Sequence, residues 1–247
     1  MTDASARTQA SLAPIQVRRD SEIYAKDGGW FRARWHFSFD EYYDEANMGI
    51  GTLRVFNHDT LVAGAVWPMH PHRDVEGITY VVAGEFEHAD SLGNDGILLP
   101  GGVQRMTLGS GAYHSERNHS QTKEMQFIQM WIMPSERGLP PSVEQRQYSE
   151  EDRSNGLLRI LRPEGSDGEG GSVHRDVSMY VARLEPGISV EHQFGEGRGG
   201  YFYLISGATN VNEEPFSTGY AAKILGAGLF RVHATETSEL IFVDTPL

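Results

Sequence analysis

Cysteine is absent from this chain. That absence excludes disulfides, thiolate zinc sites, iron–sulfur clusters and a cysteine nucleophile. Long apolar runs are missing too, since none approaches the roughly 18 residues of a membrane span. Basic residues are scarce, with 21 Lys and Arg against 34 Asp and Glu and a formal net charge of −13. Clustered cations are what bind a phosphate backbone or an anionic bilayer, so neither nucleic acid nor membrane is an expected partner. The stretch Met1 to Ala10 is polar and lacks the apolar core of a signal peptide. A cytoplasmic protein is expected.

Helical patterns are also few. Glu41 to Met48 and Ser149 to Ser154 each suffice for a turn or two. The chain has instead 28 glycines and 11 prolines, separating short runs rich in β-branched and aromatic residues. Ile78 to Val82, Gln126 to Met133, Tyr201 to Ile205 and Glu239 to Val243 read as strands of a sandwich or barrel. The expected class is all-β. A weak internal repeat sets Tyr80-Val-Val-Ala-Gly84 against Tyr203-Leu-Ile-Ser-Gly207, close to half the chain length apart. Such a run is also simply how a strand ends at a turn. The favoured reading is two similar β-barrels in tandem, spanning 1–140 and 141–247. The polar segment from Pro140 to Gly170 is expected to join them and wrap a surface.

The chemistry concentrates around His70-Pro-His72. On a strand, residues i and i+2 point to one face, so these two imidazoles can converge on one point. Pro71 between them suits an extended backbone with an unpaired N–H position. Two unrelated surface histidines are the plain alternative. A second pair of the same spacing, His114-Ser-Glu116, tips the balance. Three neutral imidazoles and one carboxylate on two strands make a nitrogen/oxygen site with open positions. Such a site favours Fe(II), Mn(II), Ni(II), Co(II) or Cu(II) over magnesium or calcium. Gln104 and Met106 alternate towards one face, either lining a pocket or packing a core. His88 and His119 read as surface or neighbouring-strand residues. His174, His192 and His233 lie in the second half, which repeats neither pair, so no metal is expected there. Tyr201, Phe202 and Tyr203 read as core.

Gly64, His70-Pro-His72, Glu76 and Gly84 together resemble the first cupin motif, and Gly96-Ile-Leu-Leu-Pro100-Gly-Gly102 resembles the start of the second. More specifically, His70-Pro-His-Arg73, Glu87-His-Ala-Asp-Ser-Leu-Gly-Asn94, Gly109-Ser-Gly111 and His114-Ser-Glu116 are similar to the pirin family. Within it, the bacterial pirin-like quercetin dioxygenases are the nearest in pattern. Trp35-His-Phe-Ser-Phe39, Tyr42-Tyr-Asp44, Met48-Gly49, Gln129 to Pro134 and Glu144-Gln-Arg146 extend the likeness. It is strong over residues 24–148 and looser beyond.

The resemblance implies a bicupin whose first barrel holds one metal, most often iron, with nickel, cobalt, manganese, copper or zinc as substitutes. The family's ligands fall on His70, His72, His114 and Glu116. The general cupin pattern would instead make Glu76 a ligand. On the pirin pattern, Glu76, which shares strand parity with His70 and His72, orients an imidazole. Asp74 and Val75 replace a Gly-aromatic pair and are expected beside the pocket mouth. The implied activity is oxidative cleavage of a flavonol such as quercetin by dioxygen, releasing carbon monoxide. Glu116 would serve as the base for the substrate hydroxyl proton. The family also contains non-catalytic members, so a metal- and redox-dependent regulatory protein that binds a partner protein is the alternative.

Overall fold

A computed structural model describes residues 11–247, and the polar stretch Met1 to Ala10 lies outside them. The described residues form four antiparallel-dominated sheets and three one-turn 3-10 helices. Two of these helices, Glu45–Asn47 and Glu151–Arg153, fall within the segments expected to turn. Among the described residues, no helix is long and apolar enough to cross a membrane.

The first half builds a seven-stranded sheet in the spatial order Ser142–Gln147, Gly102–Thr107, Glu76–Ala83, Met125–Ile132, Leu53–Leu61, Phe31–Trp35, Tyr24–Asp27. Its partner sheet has four strands, in the order Val66–His72, Ala112–Asn118, Phe86–Asp90, Asp95–Leu98. The second half repeats the plan. Its seven strands run Ile15–Arg18, Ala221–Ile224, Arg198–Ser206, Ser238–Pro246, Ser178–Leu184, Leu158–Pro163, Gly171–Val173, and its four run Ser189–Phe194, Gly228–Ala234, Ala208–Val211, Glu214–Ser217. All four sequence-expected strands are present. The repeat is structural as well. Gly84 and Gly207 each end the corresponding strand at positive φ, where a side chain would meet the carbonyl of Glu124 or of Thr237.

The halves exchange edges. Ile15–Arg18, at the start of the chain, pairs with Ala221–Ile224, whereas Ser142–Gln147 pairs with Gly102–Thr107. The segment from Pro140 to Gly170, expected to wrap a surface, therefore supplies strands to both seven-stranded sheets, Ser142–Gln147 at the edge of the first and Leu158–Pro163 one strand in from the edge of the second. The polar residues of Ser142–Gln147 suit a strand with one neighbour and one open edge.

The two large sheets stand back to back, and strand alternation explains how. Along Leu53–Leu61, Phe56 and His58 point to the second half, while Asn57 and Asp59 point into the first barrel. Along Met125–Ile132, Ile128, Met130 and Ile132 join the inter-barrel core, while Phe127, Gln129 and Trp131 face inward. Tyr201 and Tyr203 join the same shared core, but Phe202 between them faces the interior of the second barrel. The expected aromatic stripe thus serves two cores. That second interior is filled by Phe194, Phe202, Phe216, Phe230 and Phe242. Each fully buried aromatic contributes roughly 1.5–3 kcal/mol by area. Polar groups also cross the seam. Arg153 donates to Tyr80 and Glu239 at 2.6 and 2.8 Å, His36 meets the Tyr201 hydroxyl at 2.9 Å and His58 that of Tyr203 at 2.8 Å.

Candidate metal centre

All the candidate ligands lie on the small sheet of the first barrel. Along Ala112–Asn118, burial alternates strictly, with His114, Glu116 and Asn118 inside and Tyr113 and Arg117 outside. His114 lies opposite His70, and Ala112 lies opposite His72. Beyond this pair the register shifts, so that Glu116 faces Trp67. The extra residue sits on the Val66–His72 strand beside Pro68, which has no N–H to lose from the ladder. The bulge also brings the Pro68 carbonyl to 2.8 Å from Nδ1 of His70. A carbonyl can only accept, so Nδ1 carries the proton and Nε2 is left free to ligate.

The structure brings His70, His72 and His114 together. One ligand nitrogen from each lies within 4.8 Å of the other two, and the ring centroids are 4.5 to 5.0 Å apart. Glu116 stands beside this group, its carboxylate 3.5 Å from Nδ1 of His114. Burial chiefly, with the neighbouring imidazoles, pushes the pKa of His114 down to about 2 and that of His72 to about 4. Both stay neutral, which is the form that binds a metal. Neither ring nitrogen of His114 has a hydrogen-bond partner, although the residue is only 3% exposed. A buried imidazole with two idle nitrogens, beside two others, fits a transition-metal ligand and fits a packed core poorly.

The sequence missed much of what surrounds the triad. His88, expected at the surface or on a neighbouring strand, is buried and lies opposite Glu116, with its ring 5.8 Å from that of His114. It shares inward parity on Phe86–Asp90, a signal available from the alternation Phe86, His88, Asp90. His119 is at the surface, paired with Glu87. The opposite wall comes from the large sheet. A cavity of about 420 Å³ lies between His70, His72 and Glu116 on one side and Asn57, Asp59 and Gln129 on the other. Trp35, Phe39, Trp67, Phe127 and Trp131 close it with aromatic surface. Its size falls within the roughly 300–1,000 Å³ of small-molecule sites. Trp131 also packs on His72, with centroids 4.9 Å apart. Burial, then the charge of Asp59, pushes the Glu116 carboxyl up to about 8, and burial pushes Asp59 to about 8 as well.

Glu76 is not at this site. Asp74 takes a left-handed conformation (φ 55°) and ends the Val66–His72 run, so strand parity does not carry across to Glu76. Glu76 begins a strand of the large sheet and is fully buried, accepting from Thr107 Oγ1 at 3.1 Å, from the His174 backbone N–H at 2.9 Å and from its Nδ1 at 2.9 Å. It does orient an imidazole, but that of His174 in the second half. Asp74 and Val75 do not line the cavity. Asp74 accepts from the Gly138 N–H, and Val75 packs with Met106, Leu108 and Ala112. Met106 is therefore core, and Gln104 is buried accepting from Gln145.

A second cleft carries no comparable chemistry. About 550 Å³ opens between the halves around Glu164, His174 and Asp176, but His174 is already engaged by Glu76 and Asp176 by Arg198. In the second half, His192 is paired with Asp244 at 2.7 Å and His233 with Ser189 at 2.9 Å.

Two family profiles match this chain, Pirin over residues 16–132 and the quercetinase C-terminal cupin domain over residues 160–245. The quercetin 2,3-dioxygenase of Escherichia coli K12 is 36% identical over 94% of this chain and 99% of its own length. A pirin-like protein of Caulobacter vibrioides is 35% identical over 88% of this chain and 94% of its own. Among solved structures, the bacterial pirin YhhW of Escherichia coli in complex with nickel(II) superposes with a TM-score of 0.88 at 35% identity, covering 94% of this chain and 99% of that one. The barrels are cupin barrels, and the chain belongs to the pirin family.

Proposed function

We propose that this chain is a metal-dependent dioxygenase that opens a flavonol such as quercetin and releases carbon monoxide. The observation that carries the reading is the convergence of three imidazoles, of which His70 and His72 line, with Glu116, one wall of a cavity whose other surfaces are largely aromatic. The quercetin 2,3-dioxygenase name of the Escherichia coli relative and the nickel(II) held by its bacterial pirin structure support it. His70, His72, His114 and Glu116 hold the metal, with Fe(II) as the native ion. When bound, the metal supplies a Lewis acid and a template for substrate oxygen and dioxygen. The metal-bearing unit is 1–140, and 141–247 is a degenerate barrel that carries none.

The chain's own residues do the rest. Glu116 takes the proton of the ring hydroxyl. Trp67 on one side and Trp131 on the other hold a planar ring system and exclude water from it. The test is anaerobic loading with Fe(II), Ni(II), Co(II) or Mn(II), followed by quercetin and dioxygen. Carbon monoxide release with loss of flavonol absorbance is expected with at least one metal. No release with any of them overturns the enzymatic reading and favours the regulatory one.

A further inference from the structure

His70, His72 and Glu116 account for one wall of the cavity. The opposite wall carries polar groups that neither the metal nor the fold employs. Asn57 and Asp59 are 3% and 5% exposed, both line the cavity, and each has an oxygen without a hydrogen-bond partner. Their neighbour across the strand pairing, Gln129, is by contrast fixed by the Thr79 hydroxyl at 2.7 Å. Around Asp59 the surface is aromatic, since Phe127 lies directly opposite it in the ladder. Burying a carboxyl without a partner costs stability, and a packed core would have replaced it with an apolar side chain. Such a group is retained where a ligand completes it.

We propose that Asp59, with Asn57 two residues before it on the same strand face, is a specificity-determining residue that engages a ring hydroxyl of the substrate other than the one that meets the metal. A hydroxyl both donates and accepts, so it satisfies the Asp59 carboxyl in either protonation state and the Asn57 amide in either orientation. The ligand class is then a planar aromatic molecule with one oxygen function for the metal and at least one further hydroxyl for this wall. The inference rests on the reading of the cavity as a flavonol site and narrows it to hydroxylated members.

The experiment measures binding and turnover separately. Three of the four tryptophans line the cavity, so intrinsic fluorescence reports its occupancy. Binding of 3-hydroxyflavone, which has no further hydroxyl, is compared with binding of quercetin to nickel-loaded protein without dioxygen. Wild type is expected to bind quercetin roughly 10–100-fold more tightly, the cost of leaving a buried polar wall unpaired. Asp59→Leu, similar in shape and free of the uncompensated carboxyl, should bind both alike and raise the relative turnover of 3-hydroxyflavone. Asp59→Asn should keep most of the preference. Equal binding of the two flavonols by wild type, a result that needs no variant, overturns the proposal while leaving flavonol cleavage intact. A preference that survives Asp59→Leu does the same. If the preference exists and Asp59→Leu removes it, yet no metal supports carbon monoxide release, the hydroxyl-reading wall stands and the dioxygenase reading falls.

Discussion

Glu76 offers the sharpest test of which glutamate serves the metal and which serves the fold. Its carboxylate is fully buried and gathers hydrogen bonds from three donors, namely the Thr107 hydroxyl and the backbone N–H and Nδ1 of His174. The Thr107 hydroxyl itself accepts from Arg105, which directs its proton to Glu76. The Glu76 carboxylate therefore ties the first barrel to the second. Glu76→Ala leaves these donors without an acceptor, at a cost of about 1–3 kcal/mol for each one that stays buried. Glu76→Gln keeps one acceptor oxygen and should cost about 1.5–3 kcal/mol, the value of a hydrogen bond to a charged group. His174→Ala removes the imidazole but not the backbone N–H, so its penalty should overlap that of Glu76→Gln, with a coupling of roughly 1–3 kcal/mol in a double-mutant cycle. Urea unfolding followed by tryptophan fluorescence measures all three, and elemental analysis measures metal in the same samples. Metal content should be unchanged throughout. Loss of metal from Glu76→Gln comparable to that from His114→Ala, or strictly additive penalties for Glu76→Gln and His174→Ala, would refute the reasoning.

The remaining expectations concern the site and the seam. His70→Ala and His114→Ala should each abolish metal retention through dialysis, whereas His192→Ala, whose ring pairs with Asp244, should keep one equivalent per chain by elemental analysis. Glu116→Gln preserves shape and removes basicity, so turnover per bound metal should fall about 10²–10⁴-fold, with steady-state assays showing a much smaller loss of metal. His36 is fully buried, and burial first, then nearby Arg18, pushes its pKa well below the ordinary histidine value. A depressed folded pKa for a base means the unfolded chain binds the proton more readily. The share of stability linked to His36 is therefore complete above about pH 6.5 and falls by up to about 1.4 kcal/mol per pH unit below it, on top of same-signed shares from His58, His72 and His114. Urea midpoints between pH 7 and pH 5 should show this fall, and His36→Gln should make it shallower; identical slopes in the two proteins would exclude His36 as a source.

The features read correctly from sequence are those set by local strand geometry. His70, His72, His114 and Glu116 could be assigned to one face because alternation along a strand is independent of what the strand packs against. The strand around Tyr80 and its counterpart around Tyr203 were legible because each ends at a glycine that the turn requires. Glu76 was misplaced for the same reason that the others were placed. Parity was carried through Asp74, whose left-handed backbone breaks the strand. Asp59 was overlooked because Asn57-His-Asp59-Thr looks like a polar, solvent-facing run. In the fold, both faces of that strand are covered, one by the second barrel and one by the cavity, so polar residues there are buried rather than solvated. His88 carried a readable alternation, but its significance depends on the neighbouring strand, and strand pairing across the sheet is not a local property.

The arrangement also gives the metal-free half a role in the chemistry. His58 and Asp59 are adjacent, and on a strand adjacent side chains point to opposite faces. His58 is held by Tyr203 of the second barrel, which leaves Asp59 no orientation but inward. A slip of one residue would exchange them, placing an imidazole in the cavity and a carboxyl in an apolar seam formed by Phe56, Tyr201 and Tyr203. The same logic holds one strand over, where Ile128 and Met130 in the seam fix Phe127, Gln129 and Trp131 towards the triad. The second barrel need not touch substrate or metal to matter. By filling one face of the shared wall with large apolar and hydrogen-bonded aromatic side chains, it sets which residues the other face can present.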